Sequence, residues 1–229
     1  MKTEVNGIFV AAHELKSPLS LCRQLALSMD LDDKKSLEYT RDKLVEVSER
    51  ALRQVNDLTK IARLEDGLFE LEPVSVRGVC DDVTMELRHL YRENHRELKC
   101  KYTNRSKLAL ANRDMLFSVV YNFCSNALHY SDENTHSELS VKDKKGCIEI
   151  RIRDFGPALP TKIWKELKYG WINEPTSIAM RPGSSGLGLY IASKFARFMN
   201  ADVSAVRHKD GTSFTLLLPA STQISFFGE

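Results

Sequence analysis

No stretch of this chain approaches the roughly 20 consecutive apolar residues of a membrane-spanning helix. Its first residues, Met1 to Asn6, hold no apolar core of the kind a secretion signal needs. Neither sign of charge dominates: 33 basic against 31 acidic residues leave a formal charge of +2, which gives no reason to expect nucleic acid or an anionic membrane as a partner. The cysteines are few and scattered (Cys22, Cys80, Cys100, Cys124, Cys147), odd in number and without a CxxC pair. That spacing argues against a disulfide framework and against a zinc site, and fits a reducing cytoplasm. Internal repeats and low-complexity segments are also absent. What is present is 229 residues at 42% hydrophobic content, room for one large domain or two small ones, each with its own core.

The first part of the chain reads as helix. Apolar or small residues fall at Ile8, Ala12, Leu15, Leu19, Cys22, Ala26 and Met29, alternating steps of four and three as in a bundle seam. Pro18 lies inside this seam and is expected to bend the helix, because it removes a backbone donor and clashes with the carbonyl four residues back. A polar turn over Asp30 to Lys35 leads to a second helix with Leu37, Leu44, Val47, Ala51, Leu58 and Ile61 on one face. Such an antiparallel hairpin buries its stripe fully only against another copy, so a dimeric four-helix bundle is expected.

The pattern breaks at Asp66 and Gly67, and the remainder reads as mixed α and β. Expected strands are 68–76, 98–102, 108–111, 137–141 and 147–153, with a closing hairpin of 202–208 and 212–219. Expected helices are 78–93, one from a cap at Asn112 or Asp114 to about Tyr130, one from Pro160, and 186–199. Helices grouped with an antiparallel or mixed sheet make an α/β sandwich, and the fold class is α+β.

Several residues carry chemistry. His13 in HELKSPL sits one position beyond the seam residue Ala12, at the edge of the bundle, with Glu14 beside it. A neutral imidazole is a usable nucleophile near pH 7, and a neighbouring carboxylate can orient one ring N–H and accept its proton. A lone histidine of this kind is more often plain helix surface; the whole block reverses that weighting. Asn122 and Asn126 are one turn apart and point the same way. Their amides can ligate a cation and donate to phosphate, and Mg²⁺ needs few protein ligands beside water and phosphate oxygens. Asp154-Phe155-Gly156-Pro157-Ala158 follows a strand. The run Gly183 to Leu189 places glycines directly before a helix, where backbone amides and the helix N-terminus favour phosphate.

These blocks together resemble the sensor histidine kinases of two-component systems. HELKSPL looks like the H-box, YNFCSNALHYS like the N-box, the Asp154 segment like the G1 box and GSSGLGL like the G2 box, while Gly211-Thr212-Ser213-Phe214 with Leu218-Pro219 resembles the closing GTxFxxxLP strand. The resemblance runs from about Ile8 to Pro219. It implies a dimerising phosphotransfer hairpin over 1–66 and a Bergerat (GHKL) ATP-binding domain over 67–229. It implies that His13 accepts phosphate, Glu14 is its base, and Ser17 takes the place of the usual Thr or Asn. It assigns Mg²⁺ to Asn126. It assigns nucleotide contacts to Asn122, Asn126, His129, Tyr130, Asp154, Gly156, Ala158, Ser185, Gly186, Leu187, Gly188, Leu189 and Thr212, and a lid to the loop between Gly170 and Pro182, with Trp164 or Tyr169 as the preceding aromatic. The family usually has Lys or Arg where this chain has His129, and Gly where it has Ala158; alanine there could crowd the nucleotide or dislike the backbone angle.

The expected function is therefore an ATP-dependent protein-histidine kinase, a cytoplasmic homodimer that autophosphorylates His13 from Mg-ATP and passes the phosphoryl group to an aspartate of a response regulator receiver domain. The alternative is a degenerate relative acting as a dimeric scaffold or phosphotransfer adaptor. A chaperone or mismatch-repair type of ATPase is expected to carry a water-activating Glu in the N-box helix, and Tyr121 to Tyr130 contains none.

Overall fold

The computed structural model describes residues 2–103, 108–158, 161, 164 and 187–222, with side chains from Leu15 onward. Two compact units emerge, a helical hairpin and an α/β unit that begins at Arg63.

In the hairpin, α1 spans Lys2–Leu27 and α2 spans Lys34–Ala62. The first helix continues through Pro18. It stops short of Met29, where the acidic turn begins: Asp30 and Asp33 side chains accept hydrogen bonds from the Asp32 and Lys35 amides, which fixes the reversal. Only Thr40, Ala51 and Asp57 of α2 are buried. Leu19, Leu27, Leu52 and Val55 are exposed.

The α/β unit opens with a short 3₁₀ turn, Leu64–Asp66, closed by Gly67 at φ 68°, a left-handed angle that suits glycine. Strand β1 (Glu72–Ser75) pairs antiparallel with β3 (Leu108–Ala111). The longer strand expected over 68–76 is cut back because β3 offers only four residues to pair with. Ser75 then caps α3 (Val76–Glu93) by accepting from the Gly78 amide, so the helix starts before the expected Gly78. Strand β2 (Glu97–Tyr102) follows, and Asn112 rather than Asp114 caps α4 (Arg113–Tyr130), its side chain accepting from the Met115 amide at 3.2 Å.

A five-stranded sheet of order β2-β4-β5-β7-β6 forms the body of the unit, with β4 (His136–Lys144), β5 (Cys147–Arg153), β6 (Asp202–His208) and β7 (Gly211–Pro219). The β2–β4 pair is parallel and the others antiparallel. One face is apolar by simple alternation: Ile148, Ile150 and Ile152 register with Leu218, Leu216 and Phe214, and all six are buried. Against this face lie α3 and α4, with Phe123 stacked on Phe214 at 5.3 Å between centroids. Helix α5 (Leu187–Phe198) adds the buried Ile191 and Phe195. The opposite face carries the alternate residues, among them Lys101, Glu138, Arg151 and Arg153. The helix expected from Pro160 falls largely outside the described residues.

Candidate functional site

Helix α4 is sealed almost all round. In its second half Tyr121, Phe123, Cys124, Ala127 and Leu128 are buried, and the strip left open is Asn122, Ser125, Asn126 and His129, spaced three and four residues apart. Both asparagines are half-buried and His129 is exposed. The sequence thus places amides and an imidazole on the one face that packing does not claim.

Three other segments converge on this helix. Gly188 at the start of α5 lies so close to Asn122 that a Cβ there would stand 2.8 Å from the Asn122 Oδ1. Gly156 is tighter still: a Cβ would collide with the Tyr130 carbonyl, so only glycine lets the segment after β5 cross the end of α4. The Asp132 amide donates to the Phe155 carbonyl at 3.2 Å and holds that crossing.

Asp154 leaves the end of β5 on the helix-covered side and is buried, at 3% exposure. Its backbone N–H donates to the Thr212 carbonyl, and the Thr212 N–H donates back to Asp154 Oδ1, each at 2.9 Å. Thr212 is itself buried. The preceding Gly211 has φ 130°, and a Cβ on it would collide with the Asp154 carbonyl. Gly211 therefore permits the Asp154–Thr212 latch in two ways, by backbone angle and by space. An ionised carboxylate only accepts hydrogen bonds, so a buried one with a fixed plane selects a ligand edge that donates. Behind it, Tyr91 O–H donates to the Cys124 carbonyl at 2.8 Å, and Ser131 and Ser137 hydroxyls meet at 3.2 Å, all buried. Burial pushes the Tyr91 phenol and the Cys124 thiol well up, which keeps both neutral and makes them structural.

Of the residues singled out from the sequence, the structure gathers Asn122, Tyr130, Asp154, Gly156, Gly188 and Thr212 through direct contacts, with Asn126 and His129 on the same strip. Leu187 and Leu189 are buried at the start of α5. Ala158 is half-buried, and among the described residues the non-glycine positive φ angles are those of His95, Asn134 and Asn200. Ala158 thus makes no demand that glycine alone could meet. Ser185, Gly186, Tyr169 and the Gly170–Pro182 loop lie outside the described residues. His13 and Glu14 are in α1, their side chains outside the described set, and Ser17 is exposed. Sequence reasoning overlooked Arg153 and the collision-tight roles of Gly156 and Gly211. The signal for Arg153 was available: strict alternation puts a cation directly before Asp154, on the other face of the sheet.

A helix-backed mixed sheet with a polar helix strip, a latched buried aspartate and two glycines at points of close approach defines an ATPase class. Residues 111–222 match the family described as "Histidine kinase-, DNA gyrase B-, and HSP90-like ATPase", and a domain of this family implies ATP binding. The chain is a sensor histidine kinase homologue with this ATPase domain in its second half. It is 25% identical to the Dictyostelium discoideum hybrid signal transduction histidine kinase K over 91% of its own length and 19% of that protein. It is 25% identical to the probable sensor histidine kinase TcrY of Mycobacterium tuberculosis over 91% of its length and 44% of that protein. The Escherichia coli K12 protein BarA is 28% identical over 84% of this chain and 22% of its own. The chain thus spans less than half the length of each of these relatives. In fold it is similar to the Acinetobacter baumannii histidine kinase AdeS (TM-score 0.65, 16% identity, 92% of this chain and 98% of that one). It is similar too to full-length ShkA in complex with AMPPNP (TM-score 0.65, 20% identity, 97% and 47%). Among the described residues no helix is long and apolar enough to cross a membrane.

Proposed function

We propose that this chain is an ATP-dependent protein-histidine kinase core, in which residues 1–66 dimerise and carry the phosphoacceptor His13 and residues 67–229 bind Mg-ATP. The observation that carries the reading is the convergence of the Asn122–Asn126–His129 strip, the Asp154–Thr212 latch and Gly188 in one domain of ATPase type. The residues fit the nucleotide. Asp154 accepts from the adenine amino group, Gly156 and Gly188 leave room where a Cβ would intrude, and Asn122 and His129 face the polyphosphate. Mg²⁺ held by Asn126 supplies charge neutralisation on the β- and γ-phosphate oxygens.

The chain's own groups then account for the transfer. Neutral His13 presents the Nε2 lone pair in line with the γ-phosphorus; the N–P bond forms as the bond from phosphorus to the β,γ-bridging oxygen breaks, and ADP leaves with the electron pair. Glu14 holds Nδ1–H and accepts its proton. Amides at the α5 N-terminus stabilise the departing charge. The phosphoryl group passes next to a receiver-domain aspartate, docked on the hairpin. The exposed leucines of α1 and α2 support dimerisation, since a monomeric hairpin leaves them in water.

The scaffold alternative rests on His129 and Ala158; the ordinary backbone of Ala158 removes its stronger argument. The test is incubation with γ-labelled ATP and Mg²⁺, with Asn126→Ala as control. Label lost in acid, stable in alkali and absent from the control supports the kinase. No label together with no nucleotide binding by calorimetry supports the scaffold.

A further inference from the structure

We propose that Arg153 is a positioning residue for the adenine-recognising carboxylate, acting from the opposite face of the sheet through a clasp with Asp210 and Phe155; the inference rests on the nucleotide-binding reading above. Arg153 is the last residue of β5 and points away from Ile152 and Asp154. Its side chain is only 14% exposed. Nη1 donates to the carbonyl of Asp154 at 2.8 Å, Nη2 donates to Asp210 Oδ1 at 2.7 Å and reaches the Asp210 carbonyl at 3.4 Å. The guanidinium also lies 4.6 Å over the Phe155 ring, whose other contact is His136 at 4.8 Å.

These contacts join the two strands that hold the latch. Asp154 belongs to the end of β5, and Asp210 sits in the β6–β7 turn, one residue before Gly211 and two before Thr212. Tying the Asp154 carbonyl to Asp210 fixes the separation of the two backbones whose reciprocal bonds set the plane of the Asp154 carboxylate. The planar guanidinium suits this because it donates in two directions at once, which an ammonium does not do with the same geometry. The pairing is selective. Glu138 is the cross-strand neighbour of Arg153, yet Glu138 pairs with Lys101 and His136 while Arg153 reaches over to the turn. Phe155, placed between the latch and the Tyr130 crossing, is held under the same guanidinium, so the whole segment from Arg153 to Gly156 is fixed from outside the pocket. A clasp of this kind governs the discrimination between a base that donates at this carboxylate and one that does not.

Calorimetric titration of the intact chain with Mg-ATP and with Mg-ITP, whose base carries an oxo group in place of the amino group, tests the inference. Wild type prefers ATP, and Asp154→Asn marks the loss of that preference. Arg153→Gln and Asp210→Ala are expected to lower ATP affinity about tenfold and to bring the ATP-to-ITP ratio towards one, with Arg153→Lys between them and wild type. The ratio is decisive because a purely structural contribution lowers the melting temperature without changing base preference. In the nucleotide-free protein the same variants shift the Thr212 amide resonance. Should Arg153→Gln fail to fold, Asp210→Ala, removing a 70% exposed carboxylate, carries the test. A wild-type ratio in folded Arg153→Gln or Asp210→Ala overturns the clasp alone. Wild-type protein that binds neither nucleotide overturns the nucleotide-binding reading and the clasp with it.

Discussion

The hairpin and the α/β unit spend their apolar residues differently. Helix α2, 29 residues long, buries Thr40, Ala51 and Asp57, whereas α4, 18 residues long, buries ten, from Met115 to Leu128. At about 1.5–3 kcal/mol for each fully buried large side chain, α4 and its sheet supply their own stability. The hairpin leaves Leu19, Leu27, Leu52 and Val55 to a partner. Self-sufficiency belongs to the region that must hold a rigid pocket, and incompleteness to the region that must present His13 and exchange partners. The function proposed for each half follows from that contrast.

The contrast is broken most severely by Phe123→Ala. The ring is fully buried and stacked on Phe214, so the α/β unit is expected to lose about 3–5 kcal/mol while the helical signal of the hairpin persists, as denaturant unfolding followed at two wavelengths will report. Asn112→Ala removes the α4 cap and is expected to cost about 1 kcal/mol in the same experiment. Leu52→Ala, at a 63% exposed site, is expected to change the unfolding of the α/β unit by less than about 0.5 kcal/mol, yet to raise the protein concentration at which the chain dimerises in analytical ultracentrifugation. A change in the opposite sense, loss of stability with dimerisation intact, would erase the distinction between the halves.

The smallest effect is that of pH. Glu138 is held below its usual range, first by the hydrogen bond from Lys101, with burial opposing and the Lys101 and His136 charges adding to it. Its folded pKa is depressed, so the stability it contributes is present above about 4.5 and is lost as pH falls through the folded value. Glu138→Gln should flatten the acid limb of the melting curve slightly, and an unchanged limb would show that the Lys101 pair contributes nothing.

Much of this was legible in the residues themselves. The alternation of Ile148, Ile150 and Ile152 gives β5 its faces, and the three-and-four spacing in α1 gives the seam. The order of the motif blocks foretells which segments meet. What could not be read was set by partners distant in the chain. β1 is short because β3 is short, and α3 starts at Val76 because Ser75 finds the Gly78 amide. Asn122 touches Gly188, and Arg153 reaches Asp210, through the sheet order and not through any local pattern. The concern over Ala158 was a question of backbone angle, which a sequence does not display.

The most direct test of the division of labour is His13→Gln, assayed both for Mg-ATP affinity by calorimetry and for label from γ-labelled ATP. The account predicts wild-type affinity and no acid-labile label. Acid-labile label that survives the substitution, or ATP binding that is lost with it, would contradict it.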